Sequence, residues 1–369
     1  MEQILAITVI EAVNMAKKIL LLLFLFSTLS FTNIVNVKKR KEVVFCLDLS
    51  GSTNGLINDI RDNLWRFINY TLKTNPGIDL RIGIVVYGRP SFGADNDYVK
   101  IISDLTDNYD YLSQELIKLK PNIEWGEQRL PSAIYASCKN LNWSEGGNVK
   151  KIVFIFGNGI VPTMNTTFIK ACTIAEEKNI VIYPVYCVQR NIIVRELHGY
   201  KMMATKTGGN FNLFPLSHRS PLTSWSDRAL KLKRLNENLN STYIYCTKDG
   251  AERYNMMINA DQDKQITNEQ FVYSRCAYKI SDQYQQKCAA WDLISFMKTN
   301  TPDFTSLNFA YLPKELQQSS PQEIYETAMR IRQKRNKIIS DIHTFYAQLN
   351  INDTISINPI DTIVFTPLR

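Results

Sequence analysis

The sequence of 369 residues has few of the side chains and motifs on which most enzymes depend. Its three histidines, His198, His218 and His343, lie outside any recognisable active-site motif. It contains no Gly-Lys-Ser or Gly-Lys-Thr phosphate loop, no Gly-x-Gly-x-x-Gly and no His-Glu-x-x-His. Because hydrolysis needs a nucleophile beside a base, and phosphate and zinc chemistry rely on such motifs, we predict that the protein is not an enzyme.

The cysteines lack the close spacing of a metal cluster. They are Cys46, Cys138, Cys172, Cys187, Cys246, Cys276 and Cys288, with no Cys-x-x-Cys among them. Cys46 and Cys187 lie in apolar, strand-like segments, where a free cysteine behaves as a small buried hydrophobe. The Cys46 thiol is expected to stay protonated there and not to act as a nucleophile. In an oxidising compartment, two of Cys246, Cys276 and Cys288 could form a disulfide, and the sequence does not determine which two.

Positive charge exceeds negative charge, with 43 Lys and Arg against 35 Asp and Glu and a formal net charge of +8. The densest basic stretch, residues 38–41, directly follows an apolar segment. Such a stretch is attracted to anionic lipid head groups at least as readily as to nucleic acid. Because basic and aromatic side chains do not interleave as in RNA-binding sequences, we expect no nucleic-acid partner.

The N-terminal segment is apolar, since residues 19–37 carry no charge and follow two lysines. This pattern predicts a signal peptide over residues 1–37 and an exported protein, periplasmic or associated with the cell envelope. The same run would span a bilayer of ~30 Å as an uncleaved membrane anchor, which is the alternative. Basic residues after the run resist export of the rest of the chain, so a cytoplasmic location is a further alternative. Met15 is an alternative start to Met1.

Strand-like apolar runs alternate with helical patterns in the middle of the chain. The runs lie at residues 42–47, 80–87, 151–156, 179–186 and 210–214. Helical spacing of apolar residues lies at 57–68, 112–119, 134–141, 168–174 and 192–203. Continuous apolar runs are typical of strands buried on both faces of a parallel sheet. The pattern predicts an α/β fold, Rossmann-like, with a doubly wound and mostly parallel sheet that binds ligands at the carboxyl ends of its strands.

The loop after the first of these strands has the sequence D-x-S-x-S, beginning at Asp48. It resembles the metal-ion-dependent adhesion site of von Willebrand factor type A (vWA) domains, and residues 207–209, Thr-Gly-Gly, are also similar to that family. The resemblance covers about residues 41–240 and implies a vWA-like domain there. It also implies that Asp48, Ser50 and Ser52 hold Mg²⁺ or another divalent cation, because hard cations prefer oxygen ligands.

Two other positions of the family's site depart from its pattern. Where relatives have a threonine in a second loop and an aspartate in a third, this sequence has Leu130 and Asn158. The site therefore loses a ligand and a charge, and Arg129 lies nearby. Glu124 or Glu127 is a substitute carboxylate that the spacing permits but does not require. Because divalent cations favour sites rich in carboxylate oxygen, we expect a degenerate adhesion site.

Two functions stay open for this vWA-like module. The first is a non-catalytic protein-binding role, in adhesion or scaffolding at the cell envelope, with an unknown protein partner and with membrane association through the N-terminal segment. The alternative is metal-dependent ligand capture through Asp48, Ser50 and Ser52. A purely structural interpretation is that these three side chains satisfy backbone donors of the turn and cap the next helix.

Residues 241–369 lose the alternation and are predicted to form a mainly helical C-terminal region, similar to the tail of a group of bacterial exported vWA proteins. An amphipathic helix of about 28 residues is predicted to begin at Ser320 and Pro321. We expect it to dock on the rest of the protein. A coiled coil is the alternative, although Arg335 interrupts its seam. Asp292 is expected at the surface or as a helix cap.

Overall fold

The computed structural model describes residues 39–120, 124, 126–127, 129–216, 224–262, 268–298, 300–301, 303–349, 363–364 and 367. The segment predicted as a signal peptide or anchor, residues 1–37, lies outside them. Within the described part of the chain, no helix is both long and apolar enough to cross a membrane.

A six-stranded sheet occupies the centre of the fold, in the order β3-β2-β1-β4-β5-β6. Its strands are β1 (Arg40–Asp48), β2 (Asp79–Tyr87), β3 (Val99–Thr106), β4 (Val149–Gly157), β5 (Ile180–Val188) and β6 (Asn212–Pro215). Neighbouring strands are parallel, except that β3 runs antiparallel to β2. The central strands β1 and β4 are apolar on both faces because helices cover both.

Helices lie on both faces of the sheet. In the first part of the chain they are α1 (Leu56–Thr74), α2 (Tyr109–Lys118), α3 (Leu130–Lys139), α4 (Thr166–Glu177) and α5 (Leu197–Thr207). Val43 and Phe45 of β1 join the core beneath α1 and α2, whereas Val44 and Cys46 join the core beneath α3, α4 and α5. This alternation follows from the two-residue period of a strand. The predicted doubly wound, mostly parallel α/β sheet is confirmed.

Two element predictions differ from the structure. The apolar patterns did not indicate β3, an edge strand that pairs on one side only and therefore exposes residues such as Lys100 and Ile101. The helix expected over 192–203 begins only at Leu197, because Val194–Glu196 forms a separate 3₁₀ turn. The apolar residues 192–194 consequently lie in an exposed loop instead of on a buried helix face.

The C-terminal region is mainly helical, as predicted. Its helices are α6 (Asp227–Asn240), α7 (Gly250–Gln262), α8 (Glu269–Lys279), α9 (Asp282–Cys288), α10 (Leu293–Phe296) and α11 (Pro321–Ala347). Helices α6 to α9 and the later part of α11 share one hydrophobic core with the α1 face of the sheet, whereas α10 and the start of α11 pack in a separate, smaller cluster. Trp65 of α1 lies with its ring centroid 6.5 Å from that of Phe271 and 5.3 Å from that of Tyr278. Residues from both sides of position 240 therefore pack in the same core, and the predicted domain boundary stays a prediction.

The long helix α11 has 27 residues and begins at Pro321, as the sequence indicates. A capping box holds its start, in which Ser320 and Glu323 each bond the other's backbone N–H. Its apolar stripe is buried against the rest of the protein, at Ile324, Ala328, Ile338, Ile342 and Phe345. This burial favours docking over an exposed coiled-coil seam.

A buried ion pair fixes α11 to the preceding helices. Arg335, expected only as an interruption of an apolar seam, is 0% exposed, and its Nη1 lies 2.6 Å from Oδ2 of Asp292. The expectation that Asp292 lies at the surface is wrong, because its side chain is also 0% exposed. Its alternative role as a cap is confirmed, since Oδ2 accepts the N–H of Ser295 in the first turn of α10 at 2.8 Å. Charged residues tolerate such burial only when they are paired.

The seven cysteines all lie in the described residues and are free thiols. Cys276 and Cys288 are buried, and Cys246 is half-buried. The disulfide that the sequence left open among these three is therefore not formed in the structure.

Candidate functional site

The D-x-S-x-S loop begins where β1 ends. Asp48 is the last residue of β1 and pairs in register with Tyr87 of β2. The chain then leaves the sheet through a 3₁₀ turn, Gly51–Thr53, and enters α1 after Gly55, which takes the left-handed conformation with φ of 100°. Glycine adopts that conformation without the steric penalty of a side chain. The loop therefore lies at the carboxyl edge of the sheet, where the sequence predicts the site.

Asp48 is buried at the base of this loop, with 0% exposure. Its Oδ1 accepts the backbone N–H of Ser50 at 2.8 Å. Burial raises the pKa of Asp48 to about 6, although hydrogen bonds from Ser50, Asn158 and Thr53 partly offset that rise. Gly88 makes room for the carboxylate, because a Cβ at that position would lie 2.8 Å from Oδ1.

The two serines and Asn158 form a continuous chain of hydrogen bonds. The Oγ atoms of Ser50 and Ser52 lie 3.0 Å apart, and Ser52 Oγ donates to Oδ1 of Asn158 at 2.8 Å. Either serine hydroxyl can be the donor in this pair, and the Ser50 side chain also bonds the Asp48 carboxylate. Asn158 also donates through Nδ2 to the carbonyl oxygens of Ser52 at 3.3 Å and Cys187 at 3.4 Å. Asn158, which follows β4, thus joins the loop after β1 and the end of β5.

Leu130, the other altered position, takes no part in this chain of hydrogen bonds, because its side chain has no polar atom. It is the first residue of α3 and is buried at 4% exposure in the apolar core that also contains Cys46. Its side chain packs beneath the helix instead of facing solvent at the loop. A leucine here contributes to the core and supplies no oxygen ligand.

Neither candidate substitute carboxylate is directed at Asp48. The Glu124 carboxylate accepts the N–H of Ser91 at 3.1 Å and its hydroxyl at 3.0 Å. Glu124 joins the D-x-S-x-S loop through its backbone oxygen instead, which accepts the N–H of Gly51 at 2.9 Å. Glu127 forms an ion pair with Arg129. Both acids therefore have other partners.

Sequence reasoning missed Arg89, which is buried beside the loop at 6% exposure. Its Nε donates to the carbonyl oxygen of Leu49 at 2.9 Å. Burial lowers the pKa of Arg89, and the nearby charge of Glu124 acts in the opposite direction. The available signal was its position two residues after β2, at the same edge of the sheet as Asp48.

Two tyrosines that the motif search also missed lie beneath the site. A Cβ on Gly157 would lie 2.2 Å from the Tyr87 hydroxyl oxygen and 3.3 Å from that of Tyr200. The Tyr87 hydroxyl lies 3.4 Å from the carbonyl oxygen of Phe156, to which it donates. The end of β4 must therefore be a glycine so that these rings can pack under Asp48.

This donor set does not fit a divalent cation well. Asp48 supplies the single carboxylate that faces the two serines, whereas Mg²⁺ and Ca²⁺ favour several carboxylate oxygens. The serine hydroxyls are hydrogen-bonded to each other and to Asn158, and these bonds close the loop without a cation. No group of three His, Cys, Asp or Glu side chains suited to a metal occurs among the described residues. Metal binding by Asp48, Ser50 and Ser52 stays a prediction.

The comparisons with known proteins bear on the fold alone. No protein-family model and no curated protein matches the chain. The SpRpn10 VWA domain is 13% identical, with a TM-score of 0.36 over 50% of this chain and 91% of that one. An aerotolerance-related membrane protein from Bacteroides fragilis is 15% identical, with a TM-score of 0.33 over 47% and 90%. Proximal thread matrix protein 1 from the mussel byssus is 13% identical, with a TM-score of 0.34 over 47% and 41%.

Because these TM-scores are low, the fold assignment depends on the strand order and on the position of the D-x-S-x-S loop. Five strands are parallel, β3 is an antiparallel edge, and the loop follows the central strand β1. The chain has a vWA-type α/β fold with a helical C-terminal region, as the sequence predicted.

Proposed function

We infer that the protein is a non-catalytic, protein-binding vWA module of the cell envelope, acting in adhesion or scaffolding, with a degenerate adhesion site that works without metal. The observation that carries this proposal is the hydrogen-bond chain from Ser50 through Ser52 to Asn158. In it, an amide takes the place of the second carboxylate of the family's site and closes the loop directly. The loop then has a defined shape that does not depend on a cation.

The state of the thiols supports a non-catalytic role. Burial raises the pKa of Cys46 and Cys276 to about 12 and that of Cys172 to about 11. A cysteine acts as a nucleophile only as its thiolate, so these side chains stay inert near neutral pH. The Asp48 carboxylate has no exposed surface through which to reach a substrate.

The envelope location is proposed from the N-terminal pattern of a basic start and an uncharged run over residues 19–37. Both a cleaved signal and an uncleaved anchor are consistent with that pattern. Fractionation of cells that produce the full chain tests it. Recovery in the periplasmic or membrane fraction supports the proposal, and recovery in the cytosol contradicts it.

Metal dependence is tested by thermal melts of the protein in EDTA and then in millimolar Mg²⁺, Mn²⁺ or Ca²⁺. A site occupied at 100 times its dissociation constant adds about 2.7 kcal/mol to the free energy of unfolding. We expect no such rise in the wild type. A rise that disappears in Asp48→Ala would instead support metal-dependent ligand capture, the alternative function.

Partner binding is tested by placing a photo-crosslinking amino acid at Ser91, which is exposed beside the D-x-S-x-S loop. The matched control is Glu176, which is exposed near the end of α4, at the opposite edge of the sheet. We expect crosslinks to a protein from Ser91 that persist in EDTA, and none from Glu176. Loss of the Ser91 crosslinks in EDTA contradicts metal independence, and their absence in both conditions contradicts protein binding at this edge.

A further inference from the structure

Two apolar loops protrude next to each other from the carboxyl edge of the sheet. The loop after β4, residues 159–165, exposes Ile160 by 60% and Met164 by 89%. The loop after β5, residues 190–196, exposes Val194 by 76%. We refer to these two segments as the loop pair. Soluble surfaces rarely leave contiguous aliphatic side chains this exposed without a binding role.

The loop pair is held together by specific contacts. Because β4 and β5 are parallel neighbours, both loops leave the sheet at the same edge. The carboxylate of Glu196, which is 9% exposed, accepts the backbone N–H of Gly159 at 2.8 Å and the hydroxyl of Tyr186 at 2.8 Å. Val161 packs closely on Gly199, since a Cβ built on Gly199 would lie 2.3 Å from the Cβ of Val161. The exposed aliphatic side chains therefore belong to one braced surface.

The exposed charges within the two segments of the loop pair are of one sign. Arg190 and Arg195 are both exposed and bracket the apolar residues 192–194. Residues 158–170 contain no acid, and the acid within residues 188–201 is Glu196, which is buried and engaged inside the loop pair. The exposed surface of the loop pair is therefore aliphatic and cationic.

We propose that the loop pair inserts into the surface of an anionic lipid bilayer. Protruding aliphatic tips flanked by arginines match the interface of such a bilayer, in which apolar groups enter the acyl boundary and cations meet the head groups. This binding goes beyond the proposed protein-binding role, and it uses the ends of β4 and β5 instead of the loop after β1.

The test uses the full chain, so any attachment through residues 1–38 is common to all variants. An environment-sensitive fluorophore is attached to a cysteine introduced as Met164→Cys, and the matched control is Leu230→Cys on α6, another exposed apolar position. Wild-type chain treated with the same reagent corrects for reaction at Cys246. Vesicles contain phosphatidylcholine alone or equal parts of phosphatidylglycerol and phosphatidylcholine.

We expect a blue shift and a rise in emission from the label at residue 164 with the anionic vesicles only, and no response from residue 230. Adding Arg190→Gln and Arg195→Gln should raise the lipid concentration needed for half-maximal response by about tenfold or more. Unchanged melting temperatures would show that these exposed substitutions leave the fold intact.

Three results with vesicles would each overturn the proposal. They are an equal response at both labelled positions, no response at residue 164, and a response that persists unchanged in the double arginine variant. A change in emission that depends on protein concentration without vesicles would also overturn it, because it would identify the loop pair as a contact between copies of the chain. None of these results bears on crosslinking from Ser91, so the lipid proposal and the protein-binding proposal fail independently.

Discussion

Replacing Arg335 by methionine should destabilise the protein strongly, although α11 lies far from the candidate site. The guanidinium group is buried and fully engaged. It donates to both carboxylate oxygens of Asp292, at 2.6 and 3.2 Å, and to the hydroxyls of Ser295 at 3.0 Å and Thr242 at 2.9 Å. It also donates to the carbonyl oxygen of Thr242. One side chain therefore connects α11 with the start of α10 and with the chain after α6.

The size of the effect follows from what the substitution leaves behind. Methionine fills much of the same space but leaves the Asp292 carboxylate, with 0% exposure, without its counter-charge. Removing one partner of a buried ion pair costs about 3 to 5 kcal/mol. Asp292 also accepts the N–H groups of Ile244 and Ser295, both at 2.8 Å, so it cannot simply turn toward solvent.

The assay is equilibrium unfolding in urea, with Arg335→Met, Asp292→Asn and the double variant in one cycle. We expect the double variant to be less destabilised than the sum of the single variants, with a coupling energy of about 2 kcal/mol. The matched control is Arg253→Met, which removes an arginine whose ion pair with Asp249 is about half exposed. That change should cost within about 0.5 kcal/mol.

A loss below about 1 kcal/mol in Arg335→Met would refute the reasoning. So would additive single variants, because they would mean that the two charges do not depend on each other. Equal losses in Arg335→Met and Arg253→Met would show that burial does not set the cost of breaking these pairs.

Three further predictions concern the candidate site. The folded-state pKa of Asp48, about 6, lies above its ordinary value of 3.8, so its contribution to stability is complete below pH 4 and is lost as the pH rises to 6. Relative to Asp48→Asn, the wild type should lose about 3 kcal/mol across that window in urea titrations at each pH, and parallel profiles would contradict the shift. Gly157→Ala places a Cβ 2.2 Å from the hydroxyl oxygen of Tyr87 and should cost about 1 to 3 kcal/mol of stability in thermal melts. The control Gly147→Ala, with open space around the new Cβ, should be nearly neutral in the same melts. Equal effects of the two substitutions would refute the steric argument. Asn158→Asp should lose about 1 to 3 kcal/mol of stability in EDTA, because the carbonyl oxygens of Ser52 and Cys187 lose their donor. The variant should recover stability when Mg²⁺ is added, because the site then has a second carboxylate. A melting temperature that Mg²⁺ does not change would show that a second carboxylate is not what the site lacks.

The α/β class was predictable because its signal is local. Strands buried on both faces need continuous apolar runs, and β1, β2, β4 and β5 all fall on such runs in the sequence. The strand β6 also falls on a run, although it is an edge strand with partly exposed side chains. The edge strand β3 lacked that signal, since a strand that pairs on one side and faces solvent has no need of it. The start of α11 was also readable, because a capping box uses residues three apart.

The candidate site was predictable in position but not in its bonding. A loop that follows the first strand of a parallel sheet must lie at its carboxyl edge, which places Asp48, Ser50 and Ser52. The sequence marked Asn158 as a departure from the family's pattern, yet gave no sign that its amide reaches 106 positions back to Ser52. Arg89 escaped notice for the same reason, since its partner is a carbonyl oxygen on another strand's loop.

Composition and periodicity were sufficient for most of the elements, the fold class and the location of the polar loop, because each depends on neighbours within a few residues of the chain. Which charges pair, which thiols stay apart and which apolar residues remain outside the core depended on long-range packing. Arg335 and Asp292 are 43 positions apart and become partners only when α11 docks. The pattern predicted residues 192–194 as part of a helix, whereas in the structure a 3₁₀ turn intervenes, and Glu196, its last residue, is bonded to Gly159 and Tyr186 from neighbouring segments.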